Sequence, residues 1–205
     1  LMLAMEEQGQ TVSVLASAQG VLGLFAVADT TKESSKQAIA ELKALGIRTV
    51  MLTGDNEATA RAIAAQVGID EVKANLLPED KLQVINGLVA QQPTGMVGDG
   101  VNDSPSLAAA SIGFSMGGAG TDIAKEAADI LIMNDDLRRV PETVQLSKRT
   151  YAILWQNIIF ALGIKVVFFA LAVFGNASMW MAVFADMGAS LLVVFNGLRL
   201  LRGGK

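Results

Sequence analysis

The sequence predicts an α/β domain built on a doubly wound parallel sheet, followed by a two-helix transmembrane hairpin. Three observations carry that expectation. Short apolar runs alternate with amphipathic ones through the first two thirds of the chain, and such alternation implies parallel strands joined by crossover helices. Two apolar runs of roughly the ~20 residues needed to cross a bilayer fill the last third. Charge divides at the same place. Residues 1–147 carry 10 Lys+Arg and 19 Asp+Glu, a net of −9, whereas residues 148–205 carry six cations and the single acid Asp186, a net of +5. An acidic front and an apolar, cation-flanked back suit two different solvents.

Composition narrows the classes. The 205 residues are 52% hydrophobic and 18% charged, with a mean hydropathy of +0.44. Four Pro, no Cys and the large apolar share exclude a disordered, collagenous or disulfide-stapled chain. With no Cys and no His, a zinc finger and a Ser-His-Asp triad are excluded as well. A net charge of −4 argues against nucleic acid as a partner.

In the front part, runs 21–27, 48–52, 95–97, 112–115 and 129–133 read as short buried strands, and 34–45, 57–67, 79–90 and 121–127 as helices. In a parallel sheet the site lies beyond the carboxyl ends of the strands, and the polar clusters fall there. Run 48–52 leads into Thr53-Gly54-Asp55-Asn56, and run 95–97 leads into Gly98-Asp99-Gly100-Val101-Asn102-Asp103. Between them Leu77-Pro78-Glu79-Asp80-Lys81 opens a helix. Thr53 offers a hydroxyl, and the Gly54 amide can approach a phosphoryl group with no side chain in the way. Lys81 offers a point charge to phosphoryl oxygens. Asp99 and Asp103 offer hard oxygen ligands for Mg²⁺, with Asn102 able to bridge them by hydrogen bonds. Positioning and charge neutralisation of this kind are what phosphoryl transfer mainly requires. Taken singly each cluster is weak, since an Asp-Gly or a Pro-Glu-Asp-Lys stretch is commonly just a turn or a helix start. The three together, in order, are far more specific.

In the back part, run 152–174 is apolar except for Gln156, Asn157 and Lys165, and run 179–198 except for Asp186, Ser190 and Asn196. The turn between them, residues 175–178, is uncharged, whereas Lys148 and Arg149 precede the first run and Arg199, Arg202 and Lys205 follow the second. The positive-inside rule then puts both ends, with residues 1–148, in the cytoplasm. Tyr151, Trp155 and Trp180 suit the bilayer interfaces. Lys165 and Asp186 lie at similar distances from the turn, near mid-bilayer in an antiparallel hairpin. Charges at that depth normally face a polar pathway or pair with each other. A transport site with a built-in counter-charge and a structural ion pair are both open on the residues alone. Asp135 and Asp136 read as a helix cap, and Arg138 and Arg139 as solvated or headgroup-facing cations.

Thr-Gly-Asp-Asn (53–56), Leu-Pro-Glu-Asp-Lys (77–81) and Gly-Asp-Gly-Val-Asn-Asp (98–103) resemble the phosphorylation-domain motifs of P-type cation-transporting ATPases, which belong to the haloacid dehalogenase-like superfamily. Residues 116–122 resemble the glycine-rich stretch that follows, and Asp29 resembles the Asp where the nucleotide-binding domain returns to the phosphorylation domain. Lys165 with Ala185-Asp186-Met187-Gly188-Ala189 is similar to the zinc/cadmium/lead branch of the heavy-metal subclass. The resemblance implies a division into 1–27, the end of a nucleotide-binding domain with residues 1–20 as its last strand; 28–138, a partial phosphorylation domain; and 139–205, the last two transmembrane helices. It implies Mg²⁺ as cofactor, ATP as substrate, and Zn²⁺, Cd²⁺ or Pb²⁺ as cargo. By it, Thr53, Gly54, Asp55 and Lys81 attend an aspartyl phosphate, and Asp99 ligates Mg²⁺ with Asp103 and Asn102 in support. Asp186 ligates the transported metal, and Lys165 is its counter-charge. A bacterial inner membrane and the remainder of a pump are the implied surroundings.

The chain departs from the family in one decisive way: it contains no Asp-Lys-Thr-Gly-Thr, the motif whose Asp is phosphorylated. It therefore reads as the C-terminal portion of a longer pump, inactive alone. Two other readings stay in play, a membrane-tethered phosphatase of the same superfamily and a non-catalytic membrane metal-binding module. The phosphatase needs an Asp-x-Asp nucleophile motif, which this sequence lacks.

Overall fold

The structure, a computed structural model, describes residues 10–28, 31–100, 102–117, 126–175 and 178–202. It divides into two compact units, Leu1–Pro141 and Glu142–Lys205.

The first unit opens with β1 (Gln10–Ser17) and β2 (Gly20–Ala28), an antiparallel hairpin closed at Ala18-Gln19. Gly20 takes φ +140°, which only glycine adopts without strain. Run 21–27 is thus a strand, but not a buried strand of the parallel sheet. Val21 and Leu22 are each 67% exposed and Phe25 60%. A β-branched apolar run specifies strand geometry; what covers it depends on the neighbouring layer, and among the described residues its only strand partner is β1.

The remainder alternates as expected: α1 (Glu33–Ala44), β3 (Val50–Leu52), α2 (Glu57–Val67), β4 (Glu71–Lys73), α3 (Pro78–Val89), β5 (Gly95–Gly98), α4 (Ser104–Ala109), β6 (Ile112–Met116) and β7 (Ile130–Ile132). All pairings among β3–β7 are parallel, β3 with β4 and β5–β6–β7 in order, which bears out the α/β class. β4 and α4 are additions to the expected elements, because three and six residues are too short to show a period. Most of the expected helix 121–127 lies outside the described residues, as do Asp29 and most of the glycine-rich stretch.

Local chemistry sets the boundaries. Asn56 caps α2 by accepting a bond from Thr59 N (2.9 Å), and Gly68 ends it at φ +84°. Pro78 sits in the first turn of α3, where its missing N–H costs nothing. Asp80 there reaches back to accept from Leu77 N at 2.9 Å. One core gathers Ile85, Met96 and Leu107 from α3, β5 and α4; a second gathers Phe114 and Ile132 with Val140. The first core, through Met96 and Leu52, lies against the strands that end at the polar clusters.

The second unit is a helical hairpin. α5 (Arg139–Val173) begins just ahead of it, and α6 (Met179–Leu198) follows the turn and ends in a 3-10 segment, Arg199–Arg202. Asp136 accepts from Arg138 N at 3.1 Å in the turn ahead of α5, a bond to a residue outside the helix and so not a cap of it. It also holds the Arg138 guanidinium, an intramolecular pairing in place of the solvated cation anticipated there. Two helices are long and apolar enough to span a bilayer, with 0% and 6% of their most apolar windows buried. A soluble core helix would be covered; these present Phe169, Phe184 and Phe195 outward. Tyr151 and Trp155 stack edge to face, with centroids 6.3 Å apart.

Candidate functional site

Two parallel strands deliver the phosphoryl cluster. Thr53 follows Leu52, the last residue of β3, and Asp99 follows Gly98, the last residue of β5. The Thr53 loop is braced against the segment after β4. Thr53 N donates to Lys73 O (3.0 Å), Leu76 N to Thr53 O (3.0 Å) and Asn75 N to Asp55 O (2.8 Å). Asn75 adopts φ 55°, a left-handed turn that Asn tolerates. A Cβ at Gly54 would sit 3.3 Å from Leu76 O, so glycine here permits the close approach of two loops as well as leaving the amide open. Thr53 Oγ1 donates to Asp55 Oδ2 (2.8 Å) and accepts from Asp55 N (3.1 Å).

On the other loop, Lys81 Nζ donates to Asp103 Oδ1 at 2.9 Å, with the two side chains only 17% and 18% exposed. Charge-assisted bonds of this kind are about twice as strong as neutral ones. Lys81 comes from the first turn of α3 and Asp103 immediately precedes α4, with its carboxylate turned to Lys81 and not to the helix amides, so the pair ties two helices at the mouth of β5. Gly98 makes room for it: a Cβ there would meet Asp103 Cβ and Oδ2 at 3.3 Å. Gly100 turns the loop at φ +74° and its carbonyl accepts from the Ser104 hydroxyl.

The structure therefore brings Lys81 and Asp103 together and Thr53 and Asp55 together. Among the described residues no hydrogen bond joins these two pairs. Asn102, expected to bridge Asp99 and Asp103, is exposed and makes no hydrogen bond among the described residues. Asp99 and Asp103 are hard oxygen donors on one loop, but the described residues hold no group of three or more acids. Two carboxylates are the donor chemistry that suits Mg²⁺, commonly held by one or two of them with waters and substrate phosphate completing its shell.

Away from the site, Asp70 binds Lys43 Nζ at 2.7 Å and accepts from Thr49 N (2.9 Å) and Thr49 Oγ1 (2.8 Å). The Lys43 ammonium, then the Thr49 amide and hydroxyl, hold its carboxyl down at about 2. Arg138 does the same for Asp136, also at about 2. Neither is a catalytic group; both fasten the frame.

In the helical hairpin, Lys165 from α5 and Asp186 from α6 line one cavity of about 630 Å³, with Phe168, Ala189 and Val193 among the other walls. They make no ion pair within 4.0 Å, and Asp186's backbone carbonyl accepts from Ser190 Oγ at 2.9 Å. Both charged side chains are exposed along this cavity. One polar contact is not foreseen from the sequence. Asn196 of α6 bonds Gln156 and Asn157 of α5, three residues visible beforehand only as interruptions of apolar runs.

Residues 2–111 match the haloacid dehalogenase-like hydrolase family. A probable cadmium-transporting ATPase of Alkalihalophilus pseudofirmus is 48% identical over 200 residues, covering 97% of this chain and 28% of the relative. A zinc/cadmium/lead-transporting P-type ATPase of Escherichia coli is 46% identical over 198 residues, covering 97% and 27%. Among solved structures, a zinc-transporting PIB-type ATPase in its E2.Pi state superposes with a TM-score of 0.86 at 44% identity, covering 98% of this chain and 33% of that one. The chain thus spans between a quarter and a third of the length of the relatives it matches. It belongs to the haloacid dehalogenase-like hydrolase family and is homologous to the cadmium-, zinc- and lead-transporting P-type ATPases.

Proposed function

We propose that this chain is the C-terminal part of an ATP-driven efflux pump for divalent heavy metals (Zn²⁺, Cd²⁺ or Pb²⁺), its first unit handling an aspartyl phosphate and its second holding the metal. The observation that carries the reading is the cavity shared by Lys165 and Asp186 in a hairpin of membrane-spanning helices. An intramembrane carboxylate and amine on one cavity, not paired with each other, point to a functional site rather than a structural ion pair.

In this reading Lys81 and Thr53 attend the phosphoryl oxygens. The Gly54 amide adds a donor unobstructed by a side chain, and Asp55 orients the Thr53 hydroxyl to which it is already bonded. Asp99 and Asp103 hold Mg²⁺, which supplies charge neutralisation at the phosphoryl group when bound. Asp103 also acts on Lys81, because its bond fixes the ammonium at the mouth of β5. Asn102, which makes no hydrogen bond among the described residues, supports the Mg²⁺ ligands once the ion is bound. The phosphorylated Asp comes from elsewhere in the pump, as does ATP recognition, since no Asp-Lys-Thr-Gly-Thr is present. Asp186 ligates the metal, and Lys165 supplies positive charge to the same cavity. Occupancy of the cavity by a divalent cation weakens its own retention through that amine. Segments 1–27, 28–138 and 139–205 correspond to the end of a nucleotide-binding domain, a phosphorylation domain and a membrane hairpin. Residues 1–148 and the C-terminus face the cytoplasm, across a bacterial inner membrane.

In the intact pump, Asp186→Ala is expected to abolish metal-stimulated ATP hydrolysis while phosphoenzyme formation from inorganic phosphate persists. Full metal stimulation in that variant would refute the assignment of the site.

A further inference from the structure

The hairpin carries a second polar feature that the transport reading does not use. Asn196 Nδ2 donates to Asn157 Oδ1 (2.9 Å) and to Gln156 Oε1 (3.2 Å), and Asn196 Oδ1 accepts from Arg199 Nη1 (3.0 Å). A carboxamide has two donor hydrogens and one accepting oxygen, so every polar group of the Asn196 side chain is engaged. Asn157 lies 18 residues before Gly175, and Asn196 lies 18 after Ser178. At ~1.5 Å per residue that is about 27 Å from the turn, close to the far boundary of the bilayer core. The node therefore closes the hairpin at the end opposite its turn, with Lys165 and Asp186 between.

Apolar faces alone specify helix register poorly inside a membrane, because a slipped pair meets lipid tails as readily as a correct one. A slip of one residue moves a side chain ~1.5 Å along the axis and ~100° around it. That would break both interhelical bonds of Asn196, to Asn157 and Gln156, and turn Asp186 off the wall it shares with Lys165. We propose that Asn196 is a positioning residue: with Asn157 and Gln156 it pins the register of α6 against α5, and that register keeps Lys165 and Asp186 on one cavity. The consequence for metal rests on the transport reading above; the register itself does not.

Crosslinking separates the two. The chain has no cysteine, so introduced pairs report without background. Ala161→Cys on α5 is paired in turn with Gly188→Cys, Ala189→Cys and Ser190→Cys on α6, in the full chain reconstituted in phosphatidylcholine nanodiscs. The parent sequence is expected to crosslink at one dominant position. The combined Gln156→Leu, Asn157→Leu and Asn196→Leu variant replaces all the amides with apolar groups, which costs little stability because no buried partner is orphaned. Its preference for the dominant position should fall about tenfold, the scale of one or two interhelical amide bonds. Asn157→Asp keeps the accepting oxygen and should keep the parent pattern. A sharp, unshifted pattern in the triple variant, or a lost pattern in an inserted Asn157→Asp, overturns the pin.

In the intact pump the triple variant should raise the metal concentration for half-maximal stimulation by about ten- to hundredfold, with the maximal rate much less affected, as expected for a misplaced ligand. An unchanged half-saturation overturns the link from register to cavity. If Asp186→Ala leaves metal stimulation intact, the transport reading falls while the crosslinking result still decides the pin.

Discussion

Lys81 and Asp103 form the pair on which the soluble site depends most. Each is more than four-fifths covered, so removing one leaves the other charged, poorly solvated and unpaired. Lys81→Ala is expected to cost about 1–3 kcal/mol of stability and to reduce turnover of the intact pump by about 10²-fold or more. A melting curve and steady-state kinetics read the two effects separately. Loss of stability with unchanged turnover would make the pair purely structural. Asp70 behaves differently, because it touches no site. Its carboxyl, ordinarily near 3.8, is held at about 2 by Lys43 and Thr49. A depressed carboxyl contributes stability above its unfolded value and loses that contribution as pH falls from about 4 towards about 2. Far-UV melts of the chain in detergent should therefore show Asp70→Asn less stable than the parent at pH 7, with the difference closing by about pH 2. A difference that is constant across that range would mean that the Asp70 charge is irrelevant.

At the scale of elements, close packing of β6 against α4 sets the geometry behind the loop that carries Asp99 and Asp103. A Cβ on Gly113 would come within 2.9 Å of the Leu107 carbonyl oxygen, a backbone atom that cannot swing away. Gly113→Ala should therefore cost roughly 1–3 kcal/mol by overpacking, measured by urea denaturation. Neutral substitution would mean that α4 moves freely on the sheet. The same region shows why some elements are legible in the sequence and others are not. α2 has a capping Asn, a helical period over 11 residues and a terminal Gly, so its limits are written in the sequence. The three-residue strand β4 has none of these; it exists because β3 lies beside it in parallel register. The run at β2 is recognisable as a strand, but its exposure is not, because burial is decided by layers that a single strand cannot announce. Lys81, Asp103 and Thr53 are legible as chemistry. Which of them touch is not: the bond from Lys81 to Asp103 joins residues 22 apart in the chain, a pairing that spacing alone does not announce.

The whole molecule joins an α/β unit and a helical hairpin long and apolar enough to span a bilayer, and the charge split of −9 and +5 at residue 148 falls close to the boundary between them. Lys165 and Asp186 cancel in the sum, yet their shared cavity is what the two-part architecture exists to serve in the reading proposed here. Lacking the phosphorylated motif, the isolated 205-residue chain should hydrolyse neither ATP nor a generic phosphate ester. Measurable hydrolysis by it would favour a tethered phosphatase instead. The most direct measurement of the central claim is ATP-driven accumulation of Zn²⁺ or Cd²⁺ in inside-out vesicles carrying the intact pump. The parent should accumulate metal, and Lys81→Ala and Asp186→Ala should each fall to the level seen without ATP. Accumulation at the parent rate by either variant would contradict the account.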